Sequence, residues 1–173
     1  MDEVEFPFVI AALEMRHDRA AFECGAEPLD RYLRTQATQE VRRRMTACFV
    51  ALEADSSQVA GFYTISATAI PLPDISPTIA KKLPRYPLVP AVRVGRLAVD
   101  RRFGGRGLGG FLLADAVVRA LRSEIMAFAM QVDAKDEVAA AFYRHHGFIA
   151  VEERPLTLYL PLAEAAREMG LKL

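Results

Sequence analysis

Five glycines crowd the segment LAVDRRFGGRGLGGFLL, residues 97–113: Gly104, Gly105, Gly107, Gly109 and Gly110. Glycine removes the side chain, so backbone amides can come close to a ligand, and a helix starting at such a loop turns its positive end toward the same point. The guest this chemistry expects is an anion. Gly105, Gly107 and Gly110 also fit the G-x-G-x-x-G pattern of dinucleotide-binding loops. Their context opposes it. That loop follows the first strand of a long βαβ domain and an acid closes the next strand, whereas most of this chain lies upstream and Glu124 precedes the next apolar run. A P-loop would need a Gly-Lys-Ser/Thr, which does not follow. A strand, a pyrophosphate loop and a helix that together hold coenzyme A are the third option.

Charge near the loop has the matching sign. The chain is neutral overall, with 22 basic and 22 acidic residues, which argues against a wholly basic nucleic-acid binder. From Lys81 to Arg106, however, there are eight basic residues (Lys81, Lys82, Arg85, Arg93, Arg96, Arg101, Arg102, Arg106) and one acid, Asp100. Such a belt is either a solvated loop or a surface for polyanions, meaning coenzyme phosphates, RNA or both. The run Arg42-Arg43-Arg44 either complements a helix C-terminus or touches RNA. Cys24 and Cys48 read as buried free thiols. His17 is expected to be solvated near a strand end, while His145 and His146 close a helix whose dipole favours imidazolium. None of the three belongs to a metal-ligand cluster. Phe62 and Tyr63 read as sheet packing.

The elements that position these residues follow from periodicity and punctuation. At 173 residues the chain is most simply one domain, 1–173, able to bury about 70% of its unfolded surface. The start, MDEVEFPF, is acidic, and no apolar run reaches the length of a membrane span or signal segment, so a soluble cytoplasmic protein is expected. PFVIAALEMR reads as a strand and about Pro28 to Arg44 as a helix, with acids at its start and arginines at its end. TACFVALEAD and VAGFYTISATAI alternate across the turn DSSQ as an antiparallel hairpin. Six prolines between Pro71 and Pro90 predict a long loop with one short helix around Ser76 to Leu83. AVRVGRLAVD is a strand. Beyond the glycines a helix runs to about Arg122, burying Leu112, Leu113, Ala116, Val117 and Leu121. IMAFAMQVD is a strand, KDEVAAAFYRHHG a helix ending at Gly147, FIAVE and LTLYLPL strands, and AEAAREMG a short helix. The order β-α-β-β-β-α-β-α-β-β predicts an α/β fold with a mixed sheet flanked by helices.

RLAVDRRFGGRGLGGFLL, followed some 35 residues later by AFYRHHGF, resembles the GNAT family of acetyl-coenzyme A dependent N-acetyltransferases. Their loop has the form Gln/Arg-x-x-Gly-x-Gly/Ala and their later segment the form Phe/Leu-Tyr-x-x-x-Gly-Phe. Gly107 and Gly109 match the two small positions, and Gly104 stands where Gln or Arg is usual, shifting that work to Arg106 or to backbone amides. The resemblance implies the acyltransferase fold, a splayed mixed sheet of six to seven strands. A narrower resemblance, carried by FECGAEPLDRYL, VAGFYTIS, VGRLAVD and FYRHHGF, is to the GNAT toxins of bacterial type II toxin–antitoxin pairs. These acetylate the free amine of an aminoacyl-tRNA and block translation.

The resemblance also implies roles for particular residues. Backbone groups near Leu97, Ala98 and Val99 would bind the pantetheine arm of acetyl-CoA and polarise the thioester. Amides of Gly104, Gly105, Arg106, Gly107, Leu108, Gly109 and Gly110 would hold the pyrophosphate, with the Arg101, Arg102 and Arg106 side chains as phosphate partners. Tyr143 would be the catalytic acid at the coenzyme sulfur, and Arg93 and Arg96 would meet the acceptor end of tRNA. Asp136 stands where many relatives have an Asn that contacts the coenzyme. An α-amine, with a pKa near ~7.7–8.0, is substantially neutral at physiological pH, so no dedicated carboxylate base is needed. The implied partners are aminoacyl-tRNA, a ribbon-helix-helix antitoxin and, through that antitoxin alone, operator DNA. A second copy of the chain is a further candidate. No metal and no membrane is implied. Two competing functions remain at this point: acetylation of a small amine or protein N-terminus, and an inactive coenzyme A-binding scaffold.

Overall fold

The computed structural model describes residues 7–173, so the acidic start of the chain, apart from Pro7 and Phe8, lies outside the described residues. Seven strands form one sheet in the order β1-β2-β3-β4-β5-β7-β6. They are β1 (Phe8–Ala12), β2 (Ala47–Glu53), β3 (Val59–Pro71), β4 (Leu88–Val99), β5 (Ala129–Asp133), β6 (Ile149–Val151) and β7 (Arg154–Pro161). The helices are α1 (Glu27–Thr35), α2 (Ala37–Arg42), α3 (Pro77–Ala80), α4 (Leu108–Arg122), α5 (Glu137–His145) and α6 (Leu162–Glu168). β4 and β5 pair in parallel, Arg93 opposite Gln131, as expected when a helical crossover joins two strands. The β1–β2, β2–β3, β5–β7 and β6–β7 pairs are antiparallel. Among the described residues no helix is long and apolar enough to cross a membrane.

The chain divides into two compact units, one comprising the residues up to Ile65 and Arg96–Asp115, the other Ser66–Gly95 and Ala116–Leu173. In the first, α1 and α2 bury Tyr32, Leu33 and Ala37 against Val50, Phe62 and Ala98 of the sheet. Gly61 of β3 is glycine for a steric reason: a Cβ there would lie 3.0 Å from Leu112 Cδ1 and 3.1 Å from the Ala98 carbonyl. In the second, Ile70, Val89, Ala91, Ala129 and Tyr159 form a separate core with Ile75, over which Ile79 and Leu83 of the proline-rich connection pack.

Several boundaries differ from the sequence expectation. The helix predicted over 28–44 is two helices, because the chain turns at Gln36 (φ −120°, ψ −34°). Arg19 Nη1 occupies the break, donating to the Leu33 carbonyl at 3.2 Å and to Thr38 Oγ1 at 2.8 Å. The helix stops before the arginine run is complete, since Arg44 adopts φ 60°. β5 begins only at Ala129, and the apolar Ile125 and Met126 are exposed. In α4, Ala120 rather than Leu121 is buried. The opening strand is shorter than predicted, and β4 already includes Pro90.

Candidate functional site

Asp100 organises the entrance to the glycine loop. It is buried at the end of β4 and accepts hydrogen bonds from the Glu23 and Arg102 amides (3.0 and 2.9 Å) and from Arg102 Nε (3.0 Å) and Nη2 (3.1 Å). Burial pushes its carboxyl pKa up, but these donors outweigh burial and hold it below the ordinary carboxylate value. A 3-10 turn, Arg101–Phe103, leads to Gly104. Gly105 and Gly107 then take φ 74° and 79°, the left-handed region that favours glycine. A Cβ at either would meet nothing within 4 Å, so backbone conformation rather than crowding within the protein requires glycine there. α4 begins at Leu108, which is buried, and the Phe111 amide donates to the Gly107 carbonyl at 3.1 Å. The amides of Leu108, Gly109 and Gly110 are therefore those a helix start leaves without an intrahelical acceptor.

The arginines near this loop are held in two ways. Arg102 is locked on Asp100, and Arg101 pairs with Glu23 at 3.3 Å. Arg106 instead lies over aromatic rings, 5.1 Å from the Phe8 centroid and 5.9 Å from that of Phe103. Arg96 covers the ring of Tyr32 at 3.5 Å. Of the strand that precedes the loop, Ala98 packs into the core with Phe62, and Leu97 and Val99 are half-buried.

In the second unit, Arg93 Nε donates to Gln131 Oε1 at 3.3 Å and its Nη2 lies 4.0 Å from Asp133. Thr157 Oγ1 donates to Asp133 at 2.8 Å. Together with Arg154 and Tyr159 these residues line a polar cavity of about 180 Å³. Tyr143 sits on α5, buried, with Phe142 and Phe148 rings 5.1 and 5.3 Å away. Burial pushes its phenol up to about 12. Gly147 (φ 92°) ends the segment, as its sequence suggests.

Two expectations about polar residues need correction. His17 is buried rather than solvated: its Nδ1 accepts from the Glu14 amide at 3.0 Å, while its Nε2 has no partner among the described residues. Desolvation lowers its pKa. His146 is likewise pulled down rather than favoured as imidazolium, first by desolvation and then by the neighbouring His145. Asp136 caps α5, accepting from the Ala139 amide at 2.8 Å, so its carboxylate already has a local role. Phe62 and Tyr63 are core residues, and the Tyr63 hydroxyl donates to Asp115 at 2.6 Å. Sequence reasoning missed Asp100 as an organiser and Gly61 as a packing glycine; a lone acid in a basic belt was the available signal for the first.

The model of the acetyltransferase (GNAT) domain matches residues 44–150. The tRNA-acetylating toxin of Mycobacterium tuberculosis is 34% identical over 155 residues, covering 88% of this chain and 91% of that protein. A probable toxin TacT of Sinorhizobium fredii is 29% identical, covering 90% and 91%. Among solved structures, a Tyr-to-Phe variant of KacT has a TM-score of 0.88 at 26% identity, covering 94% of this chain and 99% of that one. AtaT complexed with acetyl-methionyl-tRNA has a TM-score of 0.85 at 29% identity, with coverage of 94% and 99%. A Tyr-to-Phe variant of the toxin AtaT bound to acetyl-CoA and the C-terminus of the antitoxin AtaR has a TM-score of 0.78 at 25% identity, covering 95% and 99%.

Proposed function

The chain belongs to the GNAT acetyltransferase family, and from that premise we propose that it is a toxin that acetylates the α-amine of aminoacyl-tRNA with acetyl-CoA. The observation that carries the reading is the similarity to tRNA-acetylating toxins along nearly the whole chain, glycine loop and tyrosine segment included. The residues fit the donor. Gly105 and Gly107 turn the loop through the left-handed region, and the α4 start adds amides that have no intrahelical acceptor and can face a pyrophosphate. Among the candidate phosphate arginines, Arg106 is the one with aromatic contacts and no carboxylate partner among the described residues, so it replaces the usual side chain at Gly104. Arg102 supports the loop through Asp100.

In the reaction the neutral amine attacks the thioester carbonyl, a C–N bond forms, the C–S bond breaks and the sulfur leaves as thiolate. The amine's own proton goes to solvent. Tyr143, with its pKa near 12, stays protonated at physiological pH and can give its proton to that sulfur, regaining one from solvent afterwards. Backbone groups of Leu97, Ala98 and Val99 serve the pantetheine arm, and Arg93 and Arg96 the acceptor end of the tRNA. Such a toxin works in the cytoplasm, where its substrates are, with an antitoxin as partner that mediates any contact with operator DNA. The deciding experiment incubates the protein with charged total tRNA and labelled acetyl-CoA. N-acetylated aminoacyl-tRNA is expected; label found only in small amines or protein N-termini overturns the substrate, and no transfer despite coenzyme binding overturns the activity.

A further inference from the structure

Arg93 and Arg96 are secured differently. Arg93 is tied to Gln131 and Asp133. Arg96 Cζ lies 3.5 Å above the centroid of the Tyr32 ring, too close for an edge-on approach, so the guanidinium stacks by its face; it has no carboxylate partner among the described residues. A guanidinium stacked by its face keeps its N–H donors directed outward in its own plane, the direction from which a phosphate approaches with two oxygens. The ring beneath it is fixed in turn. Tyr32 is 2% exposed, stacks on Phe62 at 6.3 Å, and donates its hydroxyl to Glu40 Oε2 at 2.6 Å. Burial first, and then the Glu40 contact, raise the phenol pKa, so the hydroxyl stays a donor. Donation to a carboxylate enriches the ring in electrons and strengthens the face that Arg96 covers.

The turn at Gln36 makes this possible. Along an unbroken helix, eight residues climb about 12 Å, which would carry Glu40 away from the Tyr32 hydroxyl. The break held by Arg19 brings α2 back within hydrogen-bond reach. We propose that Tyr32, backed by Glu40, is a positioning residue that holds Arg96 edge-outward as a clamp for phosphate oxygens at the acceptor end of the tRNA. The inference rests on the proposed substrate and names how one of its contacts is built.

Steady-state kinetics on charged tRNA tests it with Tyr32→Phe, Glu40→Gln and Arg96→Met, alone and combined. Tyr32→Phe keeps the packing; it is expected to raise KM about two- to fivefold with kcat held, and to add nothing further in the Arg96→Met background. Equal effects in both backgrounds, or a lower Tm with an unmoved KM, overturn the clamp. Binding of uncharged tRNA separates the two proposals. Tyr32-dependent binding without acetylation of charged tRNA sinks the function and keeps the clamp, whereas acetylation with Tyr32-independent KM does the reverse.

Discussion

Tyr143 keeps its proton because its ring is buried: ionising a phenol there would leave a charge with little water around it, and the pKa rises to about 12. Replacement by Phe preserves the ring contacts with Phe142 and Phe148 and removes only the hydroxyl, and with it the proton to be donated. Tyr143→Phe is expected to lower kcat by about 100-fold or more while acetyl-CoA binding, followed by calorimetry, stays within about twofold. The pH profile of kcat/KM should rise as the substrate amine loses its proton and show no falling limb below about pH 10. An alkaline loss earlier than that would assign the acid elsewhere. Asp100 gives a second test at this scale. Its folded pKa lies below the ordinary 3.8, so its contribution to stability is complete above that value and is lost as pH falls through the folded value. Asp100→Asn is expected to cost about 2–3 kcal/mol near neutrality, a difference that shrinks in denaturation curves below about pH 4.

The elements were legible wherever their cause is local. The glycine loop could be read because positive φ at Gly105 and Gly107 selects the residue type directly, and the end of α5 because Gly147, at φ 92°, stops it. The break between α1 and α2 could not, since it depends on Arg19, which reaches into the helix from outside it. The burial of His17 escaped for a similar reason: nothing beside it in sequence says that the strand-end loop folds inward. The roles of Tyr32 and Arg96 likewise depend on residues more than sixty positions apart meeting face to face. Two glycines separate conformational from steric demand. Gly107→Ala has room for its methyl group but must hold φ near 79°, so it should cost about 1–2 kcal/mol and weaken acetyl-CoA binding. Gly61→Ala adopts its backbone readily yet meets Leu112 and the Ala98 carbonyl, and should cost about 1–3 kcal/mol without a direct effect on coenzyme affinity. Thermal melts with and without acetyl-CoA distinguish the two; equal ligand-induced shifts in both variants would remove the loop from the binding site.

At the scale of the molecule, zero net charge and a basic belt coexist, so attraction to a polyanion must come from local placement rather than from overall sign. Continuity of the chain bears on how the whole folds. Although each compact unit has its own core, β3, β4 and α4 each begin in one unit and end in the other. Unfolding one unit alone would fray three elements in their middles and strand their backbone groups, a cost that falls on both units at once. One domain over 1–173 is therefore the reading we propose. Gly61→Ala, placed in the first unit, should then lower amide protection of β5 and β7 in the second by the same free energy as that of β2, as read by hydrogen exchange under conditions of global opening. Loss of protection confined to β1–β3, with β5 and β7 unmoved, would instead mark two independently stable domains.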